Sequence, residues 1–185
     1  MRDSRGFSLI ELIIAILIIG VIAALGGSML IFTVQHAMYT PNKLTTDFLV
    51  SNAMDMIVDG NSSAKGLRFA RQITAVAANS VTYIDQDGKT VVVTLNTGTN
   101  QLTRTINGSP DNNFLRYQSG TGISIVVGRN SALFIYYDVN GNITATPANV
   151  RMVEINAIAR TGSGSFGSWQ GQSEFSTAVY VPKYQ

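Results

Sequence analysis

From Phe7 to Val34 the chain reads FSLIELIIAILIIGVIAALGGSMLIFTV, an apolar run interrupted by a single charge at Glu11. As a helix rising ~1.5 Å per residue it spans about 42 Å, more than the ~30 Å hydrocarbon core of a bilayer. From Phe32 the pattern turns amphipathic. Thr40-Pro41 interrupts it in one of two ways. Thr40 caps a renewed helix with Pro41 at its first position, or Pro41 kinks one long helix. Beyond it Leu44, Phe48, Leu49, Met54, Ile57 and Val58 recur at three- and four-residue spacings, which predicts one helix face packed on a sheet. Asp59-Gly60-Asn61-Ser62-Ser63 ends that pattern, and Asp47, Asp55 and Asp59 read as solvated-face residues. Gly66 to Arg71 is either a last helical turn or the start of a sheet region.

Past residue 70 the period changes to two. Ser80 to Asp85, Thr90 to Leu95 and Gln101 to Ile106 alternate as strands, and Asp87-Gly88 and Asn107-Gly108 supply hairpin turns. Further strands are expected at 123–127, 133–138, 150–158 and 177–181, with a hairpin at Asn140-Gly141. Residues 161–172 are rich in Gly and Ser, which predicts an exposed loop. Phe166 and Trp169 within it either pin the loop to the head or form a contact surface. A long helix laid on one face of an antiparallel sheet gives an α+β fold. The expected division is a leader over 1–6, a transmembrane helix over 7–34, its amphipathic continuation over 35–59 and a β-rich head over 60–185.

Composition narrows the function. The 185 residues are 45% hydrophobic, with the excess at one end, which fits a membrane segment joined to a water-soluble head. The net charge is only +2 and the basic residues are scattered, so a nucleic-acid footprint is weak. There are no cysteines, which excludes disulfides and thiol chemistry, and His36 is the single histidine, which excludes a histidine metal cluster. Asp85-Gln86-Asp87-Gly88 and Asp138-Val139-Asn140-Gly141 invite a calcium reading. Neither has Gly at the sixth position and Glu at the twelfth of an EF-hand loop, so hairpin turns account for them better. No cofactor and no catalytic constellation is expected.

Arg2 and Arg5 precede the apolar run and no basic residue follows until Lys43. The positive-inside rule therefore places the N-terminus in the cytoplasm and the head outside. A secretory signal peptide has an apolar core of about 7–15 residues, and this run is far longer. A plain signal anchor fits the length but leaves the acid at Glu11 unexplained, and an acid inside a membrane helix is a functional candidate by default.

Gly6-Phe7-Ser8-Leu9-Ile10-Glu11 resembles the processing motif of type IV prepilins and of the pseudopilins of type II secretion. Gly20, Ala23 and Ala24 also match that family's helix. Ser28, after Gly26-Gly27, stands where many pilins carry a helix-kinking Pro, and the glycine pair supplies comparable local weakness. The resemblance implies a ladle-shaped subunit and two kinds of protein partner, a prepilin peptidase/methyltransferase and other pilin-like subunits. It also implies cleavage between Gly6 and Phe7, N-methylation of Phe7 and residence in the inner membrane before filament assembly. Glu11, four residues after Phe7, would meet the Phe7 amine of a staggered neighbour and set the register. The strand pattern of Phe134 to Gly141, Val150 to Ile155 and Ser176 to Tyr180 is similar to the heads of larger minor pilins and minor pseudopilins. The expected function is thus a minor structural subunit and not an enzyme. The alternative is a filament-tip binding module, an adhesin or DNA-capture subunit using Phe166, Trp169, Arg68, Arg71 and Arg104.

Overall fold

A computed structural model describes residues 8–115, 124–128, 131–161 and 171–182. One helix, α1, runs without a break from Leu9 to Val58. It passes through Gly26-Gly27, where the Ser28 hydroxyl donates back to the Leu25 carbonyl at 2.8 Å, and through Pro41. Thr40 does not cap a renewed helix. Its hydroxyl donates to the His36 carbonyl at 3.0 Å, a back-bond made from inside a helix. Pro41 has no N–H, so one continuous helix passes through it with one rung of its ladder missing.

Only the last quarter of α1 is packed. Thr46, Leu49, Val50, Ala53, Met54, Ile57 and Val58 are buried at three- and four-residue spacings. Leu44 and Phe48, expected on this face, are 63% and 66% exposed and point away from it. Their phase differs: Leu44 and Phe48 are four apart, but Phe48 precedes Leu49 and lies about 100° round the helix from it. Asp47 is not simply solvated. It pairs with Lys43 at 3.5 Å and accepts a hydrogen bond from the Ser173 hydroxyl of the sheet.

After α1 a 3₁₀ turn, Leu67–Phe69, leads directly into β1, Ala70–Ala77. The stretch left open between helical turn and strand is therefore both in succession. β2 (Ser80–Asp85), β3 (Thr90–Asn96), β4 (Gln101–Ile106) and β5 (Ser109–Pro110) follow as an antiparallel meander in the order β1-β2-β3-β4-β5. Alternation carries the register: Val81, Tyr83, Val91, Val93 and Leu95 face the core and their neighbours face out.

A second antiparallel sheet, where a single one was expected, contains β6 (Ser124–Val127), β7 (Phe134–Tyr137), β8 (Met152–Thr161) and β9 (Gly171–Tyr180). β8 pairs along its whole length with β9 and, on its other side, with β7 and then β6. Phe134 N–H to the Ala78 carbonyl (3.0 Å) and the Tyr136 hydroxyl to the Ser80 carbonyl (2.7 Å) tie the two sheets together. α1 lies against β8 and β9. There the Thr46 hydroxyl donates to Thr161 Oγ1 at 2.9 Å. Burial of Tyr83 and Tyr136 pushes both phenols up from their ordinary value, so both stay neutral donors. The molecule is α+β: a long apolar helix followed by an antiparallel β region.

Candidate assembly site

Leu9 to Ala37 is a 29-residue apolar stretch whose most apolar 18 residues reach a mean hydropathy of 2.9, with none of those 18 buried. Leu9, Ile10, Ile19, Leu25 and Met29 all expose more than 60% of their surface. An exposed apolar surface of this size needs an apolar environment to cover it, and length and composition suit a bilayer. The helix is apolar all round, so it can be covered by lipid first and by other apolar helices later.

The one acid of this stretch has a defined local role. Ser8 is the N-cap of α1 in extended conformation, and Glu11 stands at the third helical position. The Glu11 N–H donates to the Ser8 hydroxyl oxygen at 3.3 Å. In return the Ser8 N–H donates to Glu11 Oε2 at 3.2 Å, and the Ser8 hydroxyl lies 3.3 Å from the same oxygen. This capping box satisfies donors that a helix start leaves free. The negative carboxylate also complements the positive end of the helix dipole. An S-x-x-E spacing, Ser8 to Glu11, is the sequence signal of this box. Gly6 and Phe7, the expected cleavage pair, lie outside the described residues, immediately before this cap.

His36 sits at the far end of the apolar stretch, exposed, with its ring 4.3 Å edge-on to Phe32.

The head residues offered as contacts separate into distinct groups. Arg104 is not a surface residue. It is 2% exposed and donates from Nε and Nη2 to Asp111 Oδ2, the first at 2.8 Å, and from Nη1 to the Met56 carbonyl at 2.8 Å. It shares a face of β4 with Leu102, so strand alternation turns it inward. Arg68 is exposed but paired with Asp59 at 2.8 Å. Arg71 is exposed on β1 with no ion-pair partner among the described residues. Phe166 and Trp169 lie outside the described residues.

The two acidic turns use their carboxylates locally. Asp85 Oδ1 accepts the N–H groups of Asp87 (2.9 Å) and Lys89 (2.8 Å), and Oδ2 accepts that of Lys65 at 3.0 Å. Asp138 Oδ1 accepts those of Asn140 and Asn142 at 2.8 and 2.9 Å, and these amide bonds, that of Asn142 foremost, hold its carboxyl below the usual value. The first turn joins β2 to β3 through Gly88, whose φ of 80° suits glycine. The second, expected as a full hairpin, returns only as far as a single bridge between Tyr137 and Ile143. Among the described residues no three His, Asp or Glu side chains converge as a metal site would require.

Residues 1–27 match the family model described as the prokaryotic N-terminal methylation motif. The comparisons with curated proteins and with solved structures each return no match. The motif implies processing by a prepilin peptidase and assembly with other pilins, and the exposed apolar helix fits membrane anchoring. Residues 1–27 thus mark this chain as the bearer of a class III signal peptide of the type IV pilin and pseudopilin kind.

Proposed function

We propose that this chain is a non-catalytic, pilin-like structural subunit, cut between Gly6 and Phe7 and N-methylated on Phe7. It enters the inner membrane once, with the N-terminus in the cytoplasm and the head outside. From there it passes sideways into a helical filament, a type IV pilus or a type II secretion pseudopilus, as a minor component that starts or tips it. The observation that supports this most is a conjunction: the methylation motif over residues 1–27 runs into an apolar helix whose large side chains from Leu9 to Val34 are exposed, with Glu11 as the only charge between Leu9 and Ala37.

Assembly on this reading is driven by apolar burial between helices and registered by charge. Cleavage creates an ammonium on Phe7 in apolar surroundings. A carboxylate four residues on, in a neighbour offset along the filament, is its natural counter-ion. Burying two charges is costly, so the pair selects one stagger more than it adds stability. The test is to express Gly6→Ala and Glu11→Ala with a prepilin peptidase and assembly machinery. Loss of cleavage in the first and loss of filament incorporation in the second are expected; normal processing and incorporation of both would overturn the reading.

A second reading, a filament-tip binding module, is favoured by the unpaired, exposed Arg71. It predicts salt-dependent binding of DNA or of a surface polyanion to the full chain in detergent micelles. Absence of DNA binding at low salt would remove the nucleic-acid form of it.

A further inference from the structure

Arg71 and Arg151 are eighty residues apart in the sequence, yet both line one cavity of about 200 Å³ at the open edge of the five-stranded sheet. Gln72, Ile73, Pro147, Ala148 and Pro182 are among its other lining residues, and no acid lines it among the described residues. We propose that this cavity is an oxyanion site, built to take one phosphate or carboxylate group from outside the head.

Three features of the fold build it. The first is a bulge in β1. Ala70 pairs with Asp85 and Gln72 with Ile84, so Arg71 is an extra residue opposite a single step of β2. Regular alternation would send Arg71 and Gln72 to opposite faces. The bulge lets both line the same cavity, the re-aiming that such irregularities provide. The second is the short 3₁₀ turn Pro147–Asn149, which packs on β1 and carries the cavity's other wall. The third is the seating of Arg151. Its N–H donates to the Tyr137 carbonyl and its carbonyl accepts the Val181 N–H, both at 2.8 Å. Its Nη1 donates to the Ala148 and Val150 carbonyls at 3.1 and 2.6 Å. One corner of the guanidinium is therefore fixed, while Nε and Nη2 have no partner among the described residues.

The electrostatics point the same way. Neither arginine forms an ion pair among the described residues. Arg68 and Arg104 on the same molecule each have an aspartate. Two arginines lining so small a space bring like charges near each other, with a screening length of ~8 Å at physiological salt to weaken their repulsion. An anion between them removes that repulsion and meets planar, multi-donor groups suited to carboxylate and phosphate.

The inference is independent of the assembly role of α1, so either can fail alone. The test is a titration of the full-length chain in detergent micelles with inorganic phosphate, and separately with acetate, at constant ionic strength in chloride. Binding is read from the arginine Nε–Hε resonances. Saturable shifts confined to Arg71 and Arg151 are expected, with affinity falling about tenfold or more in Arg71→Gln and in Arg151→Gln. Arg68→Gln, outside the cavity, should leave binding unchanged. Ala148→Glu, which sets an internal carboxylate at the rim, should abolish it without touching either arginine. The tighter of the two probes identifies the group as phosphoryl or carboxyl. Shifts that never saturate, or an equal loss in Arg68→Gln, would overturn the site in favour of diffuse surface charge.

Discussion

Arg104 and Asp111 form a buried ion pair whose cation also holds the end of α1. The Arg104 side chain is fully enclosed and that of Asp111 nearly so. While Nε and Nη2 serve Asp111, Nη1 donates to the carbonyl of Met56 in the last turn of the helix, where carbonyls lack helical partners. The guanidinium also lies 5.2 Å from the centroid of the Phe114 ring. One side chain thus joins β4, the loop after β5 and the helix that would carry the head on a filament.

The first prediction concerns that joint. Arg104→Met leaves Asp111 buried without a counter-ion and should destabilise the head by about 3–5 kcal/mol, read as a lowered denaturation midpoint of the full chain in micelles. Arg104→Met with Asp111→Leu should recover much of the loss, because two apolar groups replace two charges. An unchanged midpoint in the single variant would contradict the pair's structural role.

Glycines within α1 and just beyond it should respond in opposite ways to alanine. A Cβ on Gly66 would stand 2.4 Å from the carbonyl carbon and oxygen of Val58, backbone atoms that cannot swing aside. Gly66→Ala should disrupt the passage from α1 to β1 and lower stability. A Cβ on Gly26 or Gly27 meets nothing within 4 Å, so alanine there should firm the helix by about 1 kcal/mol per site. If local weakness at Gly26-Gly27 is needed for packing in a filament, Gly26→Ala with Gly27→Ala should give a stable subunit that is incorporated poorly. Normal incorporation would assign the pair no part in assembly.

A pH-dependent contact lies across β7 and β8. The Tyr137 hydroxyl donates to Glu154 Oε2 at 2.6 Å and the Asn156 amide donates to Oε1 at 2.8 Å. The tyrosine bond first, then the amide, holds the Glu154 carboxyl below its ordinary value, and the same bond raises the Tyr137 phenol. A carboxyl lowered on folding adds stability above its unfolded value, about 4.3, and loses it as pH falls through the folded value. The raised phenol adds stability below about 10 and loses it as pH rises through its folded value. Tyr137→Phe should move the Glu154 carboxyl upward in a carbon-13 NMR titration and flatten the acid limb of stability. An unmoved titration would show that the bond does not form in solution.

The role of Glu11 can be separated into capping and charge. Glutamine at the third helical position can still reach back to the Ser8 N–H, so Glu11→Gln should keep the helix start intact while removing the counter-ion. Glu11→Gln should therefore match wild type in helix content and resemble Glu11→Ala in failing to enter filaments. Incorporation of Glu11→Gln at the wild-type level would make Glu11 a helix cap and nothing more.

Much of the fold was legible because burial on one face leaves a period in the sequence. β2 to β4 could be read at Ser80, Thr90 and Gln101 since buried positions alternate with less buried ones, most of which are polar, Ile84 and Val92 excepted. β1 was not delimited, because its bulges at Arg71 and near Thr74 break the alternation. Arg104 was misplaced by its charge, although Leu102 two residues earlier gave its phase. The division into two sheets depends on which strands pair across long separations, as β6 and β7 do with β8, and no local pattern encodes that. At the N-terminus the apolar run and the Ser8–Glu11 spacing were both on view. The Arg71–Arg151 cavity was not, since a bulge and a distant turn make it.

The central claim is that this chain is a precursor processed at Gly6 and Phe7. The most direct measurement is mass spectrometry of its N-terminal peptide, recovered from membranes of cells that carry a prepilin peptidase. A chain that begins at Phe7 and bears one methyl group on its amine is expected. A chain still carrying residues 1–6, or one cut elsewhere, would contradict it.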